Sequence, residues 1–500
     1  MAPEALYQEL VQLAREEALL GSVAATLEWD TETYLPPGGV ENRGRQMAIL
    51  GGLLHERAVD PRRAELLEAL AGSSLCADPA AVEAVNVREL RKGYERERKV
   101  PRELVEELAE ETTVASAAWA EARGRRSFAA FAPHLERVVA LKRAEAECLA
   151  AGGDAYDALL DDHEEGLSMA RLDAIVTPLR AGLAALLDRI QGARRPPAPL
   201  GGGDYPVAAQ RSLATWLAER MGFDGARGRL DAAVHPFTTG LGPGDCRITA
   251  RWDPTDLSVG LFAVMHEVGH GLYEQGLDPS QWGLPAGEQV SDGLDESQAR
   301  LWENVVGRSP AFWRFLWPEL AARFPALAGA DAGAVHRAMN RVEPSFIRVS
   351  ADEVTYHLHI AVRIDLERSL LRGELRVNDL PAAWAEAYRS TLGIVPPDDT
   401  LGCLQDGHWA AGLIGYFASY TLGDVYAAEL TRAAERTLGS LEPAFGRGDL
   451  APLRGWLTEH IHRHGCRFGP IELVARATGA LPSAASLLAR LERVVEGTIA

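Results

Sequence analysis

Five hundred residues with 47% apolar and 24% charged side chains are enough to bury a sizeable core in one large unit or in two or three domains. The formal net charge of −20 argues against a nucleic-acid or anionic-membrane partner, either of which wants a basic face. Of the 51 Lys and Arg residues only Lys92, Lys99 and Lys142 are lysine, so lysine-based catalysis has few candidates, and the five cysteines, with no C-x-x-C pair, suggest neither a disulfide framework nor a zinc ribbon.

The chain opens on "PEALYQELVQLAREEALLGSVAATL", apolar at three- and four-residue spacing and therefore helical. Acids among its apolar residues and the absence of a basic leader make it unlike a signal peptide, and no apolar run is long enough to span a bilayer. The expectation is a cytoplasmic protein. Breaks fall at "YLPPGG" (34–39), "LAGSSLCADP" (70–79) and "QGARRPPAPLGGGDYP" (191–206), the last being the best candidate linker. Between them "PRELVEELAEETTVASAAWAEA" and "LSMARLDAIVTPLRAGLAALLDRI" carry the helical period, as do the last forty residues. One segment departs from it: "AAVHPFTTGLGPGDCRITARWDP" (232–254) sets β-branched and aromatic residues around glycines and predicts a hairpin or small sheet. The class is mainly α with one small β element.

Directly after that element, "DPTDLSVGLFAVMHEVGHGLYEQG" (253–276) predicts one buried helix, capped by Thr255 or Asp256 and ended by Gly276. His266 and His270 lie four apart, on one face and about 6 Å apart along the axis, so both imidazoles can converge on one Zn²⁺. Glu267 is turned about 100° away from His266, out of line for ligation but within reach of a water at the metal. This H-E-x-x-H arrangement is that of a metal-activated hydrolase with a glutamate base. The third ligand has to come from elsewhere. Glu274 lies too far along the helix, and "EQVSDGLDESQARLWENVVG" (288–307), a second predicted helix, offers Asp292, Asp295, Glu296 and Glu303, among which spacing does not choose. The histidines of "HIHRHG" (460–465), in the C-terminal helical stretch, invite a second metal reading.

Over nearly its whole length the sequence resembles the carboxypeptidase Taq family of zinc metallocarboxypeptidases. The resemblance rests on "LEWDTETYLPPGGVENRGRQMAIL" near the start, His235-Pro236-Phe237 (HPF), and Asp245-Cys246-Arg247-Ile248-Thr249 (D-x-R-x-T). Further on come Ile347-Arg348-Val349-Ser350-Ala351-Asp352 (I-R-x-x-A-D) and Gly402-Cys403-Leu404-Gln405-Asp406-Gly407-His408-Trp409 (G-x-x-Q-D-x-H-W). Asp295-Glu296-Ser297-Gln298 matches the family's H-E-S-Q-type motif, with Asp in place of the leading His. The resemblance implies that Glu296 is the third ligand beside His266 and His270; the departure at Asp295 adds negative charge beside the site, and a difference in activity, pH optimum or metal affinity from the family norm is expected from it. The resemblance also sets aside the metal reading of "HIHRHG", whose stretch is similar to the family's ordinary tail.

The same resemblance implies a zincin-like helical metallopeptidase: one unit over 1–500, with helices of 1–200 covering a deep groove and the motifs in 201–500, assembled as a homodimer. The reaction is hydrolysis of the last peptide bond of substrates with a free C-terminus, with broad specificity and Zn²⁺ or Co²⁺ as cofactor. Glu267 is expected to act as base. Arg348, and after it Arg247, are expected to bind the terminal carboxylate through a planar two-bond fork. His235, His408 and Tyr420 are candidate donors to the tetrahedral intermediate, with Asp352 and Asp406 orienting neighbours. The rival readings are an oligopeptidase or endopeptidase on a related helical scaffold, and a zinc-binding scaffold without turnover.

Overall fold

A computed structural model of the protein describes residues 2–150, 152–191 and 203–499. The expected linker at 191–206 lies outside these but for its two ends. Helices form where the apolar period predicts them, among them Pro3–Thr33, Arg102–Arg125 and Met169–Gln191. They stop at the expected breaks: Tyr34 to Gly39, rich in Pro and Gly, turns the chain into helix Val40–Ala58, and helix Pro61–Ala71 ends at the start of the second break. Among the described residues no helix is long and apolar enough to cross a membrane.

Apolar residues gather in two clusters. A small one joins Tyr7, Leu10 and Val11 of the first helix to Leu66, Leu67 and Leu70, with Leu284 reaching in from the second half of the chain. The large one runs from Ala115 to Val495 and includes both predicted motif helices. The first helix also touches the second half of the chain directly, as where Arg15 Nη2 donates to Ser280 O at 2.7 Å.

The β element is a three-stranded sheet of β1 (Gly228–Ala232), β2 (Thr238–Gly242) and β3 (Asp245–Ala250) in the order β1-β3-β2. β2 and β3 form the expected hairpin, antiparallel with Thr239 opposite Arg247, and β1 adds in parallel with Leu230 opposite Ile248. Alternation sends Cys246, Ile248 and Ala250 inward, onto the helix that follows.

That helix, Leu257–Gly276, begins where the Asp256 carboxylate accepts the Ser258 N–H at 2.9 Å. The second motif helix is shorter than expected. It starts at Asp292, after Ser291 accepts the Leu294 N–H, and its α-helical part ends at Arg300. Leu301–Val306 then continues as a π-helical turn, a local widening frequent at functional sites. Helices Tyr356–Leu371 and Phe417–Leu438 pack on each other, and the latter also lies along Asp292–Arg300.

Candidate metal centre

His266 and His270 project from the same face of their helix with ring centroids 4.9 Å apart. Their Nε2 atoms stand 3.3 Å from each other, and Glu296 Oε2 stands 3.8 Å from the first and 3.9 Å from the second. A tetrahedral ion bound at the usual zinc distances separates its ligand atoms by about 3.3 Å, so the triangle fits one divalent cation with little adjustment. Among the described residues this is the single group of three or more such side chains able to hold a metal.

The far nitrogens are also engaged. His266 Nδ1 meets Glu303 Oε2 at 2.9 Å, and His270 Nδ1 lies 3.0 Å from Asp295 Oδ1. A carboxylate on Nδ1 holds each ring with its Nε2 toward the common point. Glu296 is fixed likewise, its second oxygen accepting from Arg300 Nε at 2.7 Å. The four acids that spacing left unresolved are thereby sorted: Glu296 faces the Nε2 pair, Asp295 and Glu303 back the rings, and Asp292 pairs with His163 at 2.8 Å.

Two glycines permit this approach. A Cβ on Gly269, inside the HEVGH stretch, would stand 2.5 Å from Ala299 Cα, and one on Gly423 would stand 2.6 Å from Glu296 Cγ. Helix Asp292–Arg300 is thus pressed between two helices at backbone distance.

The electrostatics favour positive charge between the rings. Burial opposes protonation of His270, but Asp295 and the neighbouring glutamates outweigh it and raise its pKa to about 10. His266 is raised in the same way, against burial, chiefly by Glu296 and Glu303. Burial also works against Glu303, yet Arg300 and His266 hold its carboxyl down at about 2. Surroundings that retain protons on facing imidazoles suit a divalent cation, whose binding displaces those protons.

Glu267 is buried and points to the groove side of the helix, where Thr238 Oγ1 of β2 donates to its Oε2 at 2.7 Å. Burial pushes its pKa up. The groove, about 650 Å³, is lined by Glu267, His266 and Phe262 on one wall and by Arg348, Tyr356 and Glu353 on the other, with His235 exposed on its edge.

Arg348 is 5% exposed and already heavily bonded. Its Nε and Nη2 donate to Asp406 Oδ1 at 3.0 and 2.8 Å, and its Nη1 donates to Tyr356 OH at 3.1 Å. The other Asp406 oxygen accepts from Arg363 Nε at 2.7 Å. His408 Nε2 lies 3.0 Å from Tyr420 OH, and the Tyr420 ring sits 4.7 Å from the Arg348 guanidinium. Burial and then Arg348 depress His408 to about 4, leaving it neutral near pH 7.

Arg247 is not brought to the groove. Its neighbours Cys246 and Ile248 point inward, so alternation turns Arg247 outward, where it pairs with Asp245 at 2.9 Å and covers Trp29 at 4.1 Å. Asp352 holds the turn that leads into the next helix, accepting from Val354 N and Thr355 N. His462 of "HIHRHG" is buried against Gln298 at 2.9 Å and kept neutral by burial, as structural packing requires.

Sequence reasoning missed Arg300, Tyr356 and Thr238. The signal for Arg300 was present, since it follows Glu296 by one helical turn. Tyr356 and Thr238 carried none, because each reaches the centre from a distant part of the chain.

A sequence model of the family described as Carboxypeptidase Taq (M32) metallopeptidase matches residues 9–495. The chain is 48% identical over 503 residues to thermostable carboxypeptidase 1 of Thermus thermophilus, covering 99% of each. It is 35% identical to thermostable carboxypeptidase 1 of Pyrococcus furiosus, over 95% of each. Among solved structures, the M32 carboxypeptidase from Deinococcus radiodurans superposes with a TM-score of 0.96 at 39% identity, covering 99% of both chains. Metallocarboxypeptidase 1 of Trypanosoma cruzi does so with a TM-score of 0.93 at 33% identity, over 98% of this chain and 99% of that one.

Proposed function

The chain belongs to the carboxypeptidase Taq (M32) family and is a metallocarboxypeptidase, a hydrolase of peptide bonds; on that premise we propose how its own residues divide the work. His266, His270 and Glu296 hold the divalent ion. Two imidazoles and one carboxylate suit zinc first, and cobalt(II) as well. When bound, such an ion polarises a carbonyl and brings the pKa of a water to about 7.

Glu267 is the general base. It takes a proton from the water whose oxygen bonds to the scissile carbonyl carbon. It returns that proton to the amine nitrogen as the C–N bond breaks, leaving a shortened peptide carboxylate and a free amino acid. Its place on the groove side of the helix that carries both histidines, with one oxygen held by the Thr238 hydroxyl, supports this exchange.

Arg348 receives the substrate's terminal carboxylate. Arg348 and Arg363 carry two positive charges against the one negative charge of Asp406, so the buried triad keeps an excess positive charge beside the groove. Arg348 also retains N–H groups that neither Asp406 nor Tyr356 occupies. His235 at the groove edge is a donor to the bound peptide, and the His408–Tyr420 pair supports the Arg348 wall. Arg247 has no place in this scheme and instead fastens the first helix to the sheet.

The single observation that carries the reading is the Nε2–Nε2–Oε2 triangle with Glu267 beside it. The test is digestion of one peptide as free acid and as C-terminal amide by metal-loaded enzyme, with products followed by mass. A ladder of single-residue losses from the free acid alone is expected, and internal cuts in both would sink it. Cytoplasmic residence agrees with five unpaired cysteines. A homodimer would cover the exposed Leu19, Val23, Ile49 and Leu53 of the first two helices, and sedimentation at micromolar concentration tests it.

A further inference from the structure

Tyr356 begins helix Tyr356–Leu371 and is 5% exposed, on the groove wall. Its hydroxyl oxygen accepts from Arg300 Nη2 at 2.7 Å and from Arg348 Nη1 at 3.1 Å. A phenolic oxygen has two lone pairs and one proton, and a guanidinium accepts nothing. Both lone pairs are therefore filled, and the proton has to be donated elsewhere. Among the described residues no acceptor meets it. The open direction is the groove, which Tyr356 lines together with His266, Glu267 and Arg300.

Position adds a second argument. The Arg300 group that donates to Tyr356 also donates, through Nε, to Glu296 Oε1 at 2.7 Å, while Glu296 Oε2 faces the two histidines. The tyrosine oxygen and the ligand carboxylate thus share one guanidinium, and the free proton lies beside the reaction centre, backed by two cations. Burial raises the Tyr356 pKa against the pull of those two arginines, so the donor keeps its proton.

We propose that Tyr356 donates its hydroxyl hydrogen bond to the scissile carbonyl oxygen as that oxygen becomes an oxyanion. As the water oxygen bonds to the carbonyl carbon, the π electron pair moves onto the carbonyl oxygen. The Tyr356 O–H stays intact and its hydrogen bond shortens, so no proton is transferred. Arg300 and Arg348 polarise the hydroxyl and fix its direction, which is the preorganisation such a donor needs. This rests on the metallocarboxypeptidase reading above.

The test is Tyr356→Phe, which removes one oxygen. The variant is expected to keep one metal ion per chain by elemental analysis and a KM within about threefold of wild type. Its kcat should fall by about 10²- to 10³-fold, the usual cost of losing one oxyanion donor. Calorimetry should show a phosphinic pseudopeptide, a tetrahedral anion, losing affinity by a similar factor while a ground-state dipeptide product does not. A kcat within fivefold of wild type, or an equal loss for both ligands, overturns the proposal. Should Tyr356→Phe lose metal or fold poorly, a ring-fluorinated tyrosine at 356 keeps the acceptor and lowers the phenol pKa. Measured well below the phenol pKa, the more acidic hydroxyl is the stronger donor, so affinity for the phosphinic pseudopeptide relative to the dipeptide product should rise by about threefold or more, and an unchanged ratio overturns the role. Wild-type enzyme that cannot shorten the free-acid peptide overturns the underlying reading and this proposal together. An active wild type with unaffected variants overturns this proposal alone.

Discussion

Gly269 and Ala299 meet backbone to backbone: a Cβ on the glycine would stand 2.5 Å from the alanine Cα and 2.7 Å from Gln298 O. The spacing of two helices, and with it the reach of Glu296 to the histidine pair, depends on one missing methyl group. Gly269→Ala is expected to force the helices apart, lowering stability by about 1–3 kcal/mol, as overpacking usually does. Metal affinity should fall with it, because the Glu296 oxygen withdraws from the Nε2 pair. Thermal unfolding with and without metal, and metal titration, check both effects. An unchanged metal affinity would mean that Glu296 is not held by this contact.

Asp295 is where the sequence departs from the H-E-S-Q-type motif it resembles, and its Oδ1 lies 3.0 Å from His270 Nδ1. Asp295→Asn keeps the shape and removes the charge. A partner of this kind typically contributes 10- to 100-fold to metal affinity, so a loss of about that size is expected in competition with a chelator. If affinity holds while activity falls, Asp295 acts on the substrate and not on the ring.

Glu267→Gln should retain the full metal complement and lose about 10²- to 10⁴-fold in kcat, since the amide keeps the Thr238 contact but cannot take a proton. Metal analysis and steady-state kinetics on the same sample decide the matter. Near-normal turnover would place the base elsewhere.

Arg348→Ala should lower kcat/KM for free-acid peptides by about tenfold to a thousandfold, the equivalent of one or two charge-assisted bonds. Cleavage of C-terminal amides should barely change, so the free-acid to amide ratio is the diagnostic. Arg348→Lys should recover only part of the loss, because it cannot bond Asp406, Tyr356 and a carboxylate together. Asp406→Asn is expected to be costlier to the fold, by about 3–5 kcal/mol, because it strands two buried guanidiniums. A constant free-acid to amide ratio in Arg348→Ala removes that residue from substrate recognition.

Glu367 is buried among the Tyr156 hydroxyl, Trp409 Nε1 and Gly415 N–H, and burial raises its pKa from 4.5 to about 7. A raised folded-state pKa stabilises below the unfolded value and loses that contribution as pH climbs through the folded one. Glu367→Gln cannot titrate. The difference in Tm between variant and wild type should therefore shift in favour of the variant as pH rises from 4.5 to about 7. A difference that stays flat across this range would show that the carboxyl is ionised throughout.

Local pattern alone carries a good part of this protein. Four-residue spacing puts His266 and His270 on one face and turns Glu267 aside, because a helix repeats every 3.6 residues whatever surrounds it. A cap at Thr255 or Asp256, the end at Gly276 and the hairpin before them follow from the same short-range chemistry, and the structure settles the cap on Asp256. Periodicity reports which residues share a face, but not which other face will meet it. Asp292, Asp295, Glu296 and Glu303 were equivalent on spacing, and family resemblance was needed to choose Glu296. Only the approach of two helices at Gly269, and the π-helical turn after Arg300, set Glu296 against the Nε2 pair and Asp295 and Glu303 against the Nδ1 atoms. Arg348 and, after it, Arg247 were both candidates from their motifs. Strand alternation turned Arg247 outward, and Asp406, distant in sequence, drew Arg348 into a buried ion pair at the groove wall. Tyr356 gained its two arginine donors in the same way. Contacts between residues remote in sequence depend on how whole elements pack, which no local window contains.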